Sequence, residues 1–218
     1  MIIKKIAALL VSTLLTTVLL LGCQTTYYAM WEKMGKEKRH LLRDQVENSR
    51  NDQQKASEAF KDALTRLKEI YGLEGGDLEN MYNRLSDEYE NCQERAEIID
   101  DRIAKIQRIA SDLFAEWRQE IDQIQNPKFR SQSARKLKAT QSRFANLEST
   151  LLIARRRMNP VLANLKDYVL YLKHNLNAQA IGSLKGEAAS IETDVDRLVR
   201  DIQRSIKEAD AFLKDFEK

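Results

Sequence analysis

The sequence predicts an all-α protein: an elongated antiparallel helical bundle, or coiled coil, of three to four long helices. Three observations predict it. Chain breakers are scarce, with seven Gly and two Pro in 218 residues. Charged residues make up 32% of the chain, and the abundant Glu, Lys, Arg, Gln, Ala and Leu are good helix formers. Apolar residues recur alternately three and four apart over long stretches, the heptad spacing of helices packed lengthwise on other helices. Nothing in the chain supports strands.

A first helix is expected over 27–71. Its seam runs Leu42, Val46, Ser49, Gln53, Ala56, Phe60, Ala63, Leu67, Ile70, and Ser49 and Gln53 make the middle of it polar. Gly72 and Gly75-Gly76-Asp77 should end it, glycine supplying a left-handed residue and Asp77 capping the next helix. The second helix is expected over 78–125, with seam Leu78, Tyr82, Leu85, Tyr89, Cys92, Ala96, Ile99, Ile103, Ile106, Ala110, Leu113, Trp117, Glu120, Ile124, interrupted only by Glu120, beside which sits Ile121. At 1.5 Å per residue it would be about 70 Å long, too long for a compact globule. Asn126-Pro127 should stop it, because the residue before proline is pushed out of the α region.

The third helix begins near 128 and keeps one phase through Leu137, Thr140, Phe144, Leu147, Leu151, Ala154, Met158, Val161, Leu165, Tyr168 and Leu172. Pro160 falls inside that phase, so a kink is expected there rather than a reversal. Asn175, Asn177, Gly182 and Gly186 then crowd together, and a turn is placed over 177–183. A fourth helix follows from Leu184 through Ala188, Ile191, Val195, Leu198, Ile202, Ser205, Ala209, Phe212 and Phe216. Short connections between long helices make neighbours antiparallel. Without a turn near Gly182, the last two helices would merge into one projecting arm.

Charge is sorted along the chain. Residues 74–125 hold fourteen acids and six bases, whereas 128–157 hold nine bases and one acid, Glu148. Two readings follow. The segments neutralise each other across the bundle and specify pairing. Alternatively Arg135, Lys136, Lys138, Arg155, Arg156 and Arg157 form a basic face for anionic headgroups, lipopolysaccharide or an acidic partner.

No catalytic, cofactor or metal site is expected. His40 and His174 have no Cys or carboxylate set at ligand spacing. Cys92 lies on the second seam and reads as a core thiol; exposed, it could link two subunits. Asp100-Asp101 point about 100° apart on a helix. The segment 72–77 lacks the Lys-Ser/Thr of a phosphate loop.

The start of the chain carries the address. Lys4 and Lys5 precede sixteen uncharged, mostly aliphatic residues, 6–21, followed by Gly22-Cys23. A basic region, an apolar region and a small residue mark a secretory signal. An uncleaved membrane anchor is the other reading, since the apolar run is long enough to span a bilayer. The aromatic cluster Tyr27, Tyr28, Met30, Trp31, Met34 suits either the headgroup region or the end of the bundle. Leu20-Leu21-Gly22-Cys23 resembles the lipobox of bacterial lipoprotein precursors. That resemblance implies a signal peptide over 1–22, lipid on Cys23, and a lipid-anchored helical domain over 23–218. Cys92 would then be the one remaining thiol.

The whole chain resembles a family of uncharacterised proteobacterial coiled-coil lipoproteins carrying a domain-of-unknown-function label, sometimes labelled DNA repair ATPases. The carrying residues are Leu20 to Cys23, the stretch Asp167-Tyr168-Val169-Leu170-Tyr171-Leu172-Lys173-His174-Asn175-Leu176-Asn177-Ala178, and the tail Ile202-Gln203-Arg204-Ser205-Ile206-Lys207-Glu208-Ala209-Asp210. The family assigns no catalytic residues. In such lipoproteins an Asp after the lipidated cysteine favours the inner membrane, so Gln24 implies the outer membrane, facing the periplasm. The expected role is a non-catalytic envelope scaffold or adaptor with a membrane contact through lipid, an envelope protein partner, no nucleic acid, and possible homo-oligomers. The alternative is a cytoplasmic nucleic-acid-associated coiled coil using the basic segment 128–157.

Overall fold

A computed structural model describes residues 38–72 and 77–216. These residues form four helices, α1 (Lys38–Tyr71), α2 (Leu78–Gln123), α3 (Pro127–His174) and α4 (Ala178–Phe216), and no strand occurs among them. The chain divides into two units, residues 1–42 and 43–218. Of the first unit only the opening of α1 is described, where Leu41 and Leu42 are buried. The expected signal segment, Cys23 and the aromatic cluster at 27–34 lie outside the described residues.

Within the second unit, cross-helix pairs fix an up-down-up-down bundle. Arg66 meets Glu88 and Asp52 meets Arg102, so going back along α1 means going forward along α2 by the same number of residues. Lys68 with Glu192 and Arg50 with Asp210 give the same antiparallel relation between α1 and α4. Gln107 with Glu148 and Asp100 with Arg155 give it for α2 and α3. Arg157 with Asp201 joins α3 to α4. The charged side chains flanking each seam thus set the helix order, although exposed pairs add only about 0–1 kcal/mol each.

The heptad seams are the core. Val46, Ala56, Phe60, Ala63 and Leu67 on α1, Leu85, Cys92, Ile99, Ile103 and Ile106 on α2, Leu147, Leu151, Met158 and Leu165 on α3, and Ile191, Val195, Leu198 and Ile202 on α4 are all buried. Ser57, Ala59 and Leu64 are buried as well, widening the stripe of α1. That width suits a helix touching two neighbours.

Three expectations are corrected. Glu120 is exposed and Ile121 is buried, so the α2 seam passes from Phe114 to Ile121 as it nears its end. A straight helix drifts against a strict seven-residue repeat, and the buried stripe follows the drift. The α3–α4 reversal occupies 175–177 rather than 177–183, and Gly182 and Gly186 lie inside α4 with open space around them. Asn177 caps the new helix, its side-chain oxygen accepting from the Ala180 N–H at 3.0 Å. A capped, amphipathic helix absorbs the cost of about 1 kcal/mol per internal glycine. Finally, the Asp77 side chain makes no hydrogen bond to the backbone of α2 and instead accepts from the Asn80 amide.

Other expectations hold. The α3 helix is continuous through Pro160, whose ring is on the exposed side. The Asn126 side chain accepts from the Lys128 and Phe129 N–H groups, and Pro127 fills the first helical position, where its missing donor costs nothing. The last two helices do not merge.

The polar middle of α1 is buried too. Ser49, Gln53 and Ser57 are at most 1% exposed. The Gln53 amide donates to the Ser49 carbonyl at 3.3 Å, while Gln53 Oε1, Ser57 Oγ and Ser205 Oγ accept nothing. The α1–α4 register puts Ser205 level with the turn from Gln53 to Ser57. A buried unsatisfied carbonyl costs about 1–3 kcal/mol. Gln53→Leu, close in volume, should therefore raise the urea midpoint by the equivalent of about 1–2 kcal/mol. A lowered midpoint would show that this polar layer is satisfied in solution.

Candidate functional site

The one cluster that sequence reasoning offered was the basic segment, and the structure splits it in two. Arg155 forms a two-point contact with Asp100 on α2. The Arg157 guanidinium donates from Nε to Asp201 on α4 at 3.0 Å, and that carboxylate side chain is only 13% exposed. Both arginines therefore pair with neighbouring helices; Arg155 does so with the acidic segment, as the neutralising reading expects, whereas Arg157 pairs with α4 instead. Arg156, between them, is exposed.

The other half lies near the start of α3. Arg135 donates to the Ser131 hydroxyl on its own helix. Arg135, Lys136 and Lys138 are all exposed. Lys128 and Arg130 join them toward the α2–α3 turn, where Arg130 Nε donates to the Ile124 carbonyl at 2.8 Å. Trp117 of α2 closes the base of this hairpin, its indole N–H donating to Ser133 Oγ at 2.9 Å. At the apex stands Phe129, 59% exposed, directly beside Lys128 and Arg130. Sequence reasoning passed over Phe129. The signal was present, because the seam traced back from Leu137 runs through Ser133 and Arg130 and leaves Phe129 out of phase.

The remaining candidates sit apart. His40 and His174 are exposed, and no group of three His, Cys, Asp or Glu able to hold a metal occurs among the described residues. Residues 73–76 of the glycine-rich segment lie outside the described residues. Cys92 is a free, fully buried thiol, so it is a core residue rather than a bridge between subunits. Burial, reinforced by the Glu88 and Asp62 carboxylates, pushes it up to about 12. Tyr71 and Tyr168 are both raised, chiefly by burial, and the Tyr71 hydroxyl has no partner.

These groups make a prediction. Unfolded, Cys92 ionises near 9 and the tyrosines near 10; folded, all three hold their protons longer. Stability is full below pH 9 and should fall as pH rises from about 9 toward 12, because the unfolded chain releases protons first. Cys92→Ala should flatten the early part of that fall in urea titrations run at several pH values. In the folded protein at pH 8, Cys92 should resist thiol reagents that label it at once in urea.

No described helix is long and apolar enough to cross a membrane. No curated protein matches the chain. A protein family of unknown function, DUF2959, matches residues 27–216, which takes in all four helices. The chain belongs to the DUF2959 family.

Proposed function

We propose that this protein is a non-catalytic lipoprotein of the bacterial envelope, a helical bundle held at a membrane through lipid on Cys23 and serving as a scaffold or adaptor for another envelope protein. The observation that carries the reading is the order of the chain. A basic, apolar, lipobox-like start ends at Cys23, and the bundle that follows uses buried apolar seams and seam-flanking ion pairs to hold its own helices together. Its core is packed side chains, and the titratable groups with raised proton affinity are buried structural ones. Outer-membrane sorting is part of the proposal and rests on Gln24.

Metabolic labelling with radioactive palmitate tests it, comparing wild type with Cys23→Ala and then separating inner from outer membranes. Label on the wild type alone, in the outer-membrane fraction, is the expected result. An unlabelled protein that keeps Met1 would overturn it and return the cytoplasmic nucleic-acid reading. That reading is already weakened, because Arg155 and Arg157 of the basic segment are engaged by Asp100 and Asp201.

A further inference from the structure

We propose that the tip of the α2–α3 hairpin is a lipid-contact site, in which Phe129 enters the headgroup boundary of an anionic phospholipid surface while Lys128, Arg130, Arg135, Lys136 and Lys138 lie against its phosphates. The proposal rests on the membrane-tethered reading above and adds a second point of contact to it.

The geometry comes from the register. Phe212 of α4 packs on Phe144 of α3, which packs on Phe114 of α2. From that level α4 has only four further described residues, whereas α2 continues to Gln123 and α3 reaches back to Pro127. The hairpin thus passes the described end of α4 by about 15 Å at 1.5 Å per residue. Every residue from 125 to 132 is exposed. Five bases and no acid occupy residues 124–138. On the α2 side, Arg118 accompanies the acids Glu116, Glu120 and Asp122, so the tip as a whole keeps an excess of three positive charges.

The chemistry of the tip favours lipid over other anions. An aromatic ring at an interface with lysines and arginines around it is the arrangement that places an apolar body in the headgroup boundary and charges on phosphate. A nucleic acid would need a longer charged track, and the track toward Arg155 and Arg157 is closed by Asp100 and Asp201.

The test uses the full chain. Phe129→Trp puts a fluorophore at the apex, and the wild type, with Trp31 and Trp117, supplies the background to subtract. With vesicles containing phosphatidylglycerol and brominated acyl chains, the added emission should shift to the blue and be quenched. With phosphatidylcholine alone it should remain that of an indole in water. Adding Lys136→Glu and Lys138→Glu should abolish the shift, since each basic side chain lost weakens partitioning about fivefold. An aqueous signal in both lipids overturns the proposal, as does a shift that is equal in the two or is reproduced by duplex DNA without vesicles. Co-flotation of the same protein with phosphatidylcholine reads the tether separately. Its absence sinks the lipid anchor and leaves the fluorescence result standing, whereas flotation without the shift sinks the tip alone.

Discussion

Replacing Phe144 by alanine should cost about 3–5 kcal/mol, the range for truncating a large core aromatic, and should be the most damaging single change in the bundle. Phe144 is the middle ring of three. Its centroid is 5.6 Å from that of Phe114 at an interplanar angle of 75°, and 6.1 Å from that of Phe212 at 66°. Both are edge-to-face contacts, each worth about 0.5–1.5 kcal/mol beyond the burial of the rings. Because the three rings belong to α2, α3 and α4, one truncation loosens three helices at once. Phe144→Leu should recover most of the loss, since it refills the volume and forfeits only the edge contacts. The measurement is the urea midpoint of each variant with an unchanged slope. An alanine variant within 1 kcal/mol of wild type would mean that the three rings do not form one layer.

Much of this fold was legible in the sequence, for reasons visible at particular residues. The seams of α1 and α3 were readable because each phase is long, from Leu42 to Ile70 and from Leu137 through Pro160 to Leu165, beyond which Val169 is buried in place of the expected Tyr168, and a heptad run has only one face to bury. Asn126-Pro127 marked a helix boundary because cap and proline act on the backbone itself. The α3–α4 turn was misplaced because Gly182 and Gly186 looked like breakers. Glycine lowers helix stability by a modest amount, whereas Asn175 and Asn177 offer the chain specific alternatives. Asn175 donates its side-chain amide to the Tyr171 carbonyl at 2.9 Å, and Asn177 caps α4. Caps decide where a helix ends; glycine only weakens it.

The candidate site was harder to read. Counting charge over 128–157 joined arginines that do different things, since composition carries no azimuth. Arg155 and Arg157 are two residues apart, so they point about 160° apart around the helix and reach Asp100 on α2 and Asp201 on α4 respectively. Arg135, Lys136 and Lys138 differ for another reason: they sit on α3 past the described end of α4. That depends on how far α4 extends along α3, a tertiary fact without a local signature. The same holds for Ser57, which lies beside the α1 seam that carries Ser49 and Gln53 and is buried where α4 runs level with it.

Ile106→Ala should cost about 2–5 kcal/mol. Ile106 is 1% exposed on the inner face of α2, one helical turn from Ile103 and Ala110, and it is among the largest fully buried side chains. Its removal leaves a void lined by side chains of an antiparallel bundle, and backbones locked by ion pairs such as Arg102 with Asp52 at 3.0 Å have little freedom to close it. The control lies further along the same helix. Glu120 falls on the heptad extrapolation but is exposed, while Ile121 beside it is buried. Glu120→Ala should therefore change stability by no more than about 0.5 kcal/mol, and Ile121→Ala should cost about 2 kcal/mol or more. The contrast separates two descriptions of α2 that agree at Ile106. A strict seven-residue repeat makes position 120 structural; a straight helix rotates it outward and brings Ile121 in. Equal losses at 120 and 121 would mean that α2 supercoils with its partners to its end, and the apex carrying Phe129 would then be turned differently on the bundle.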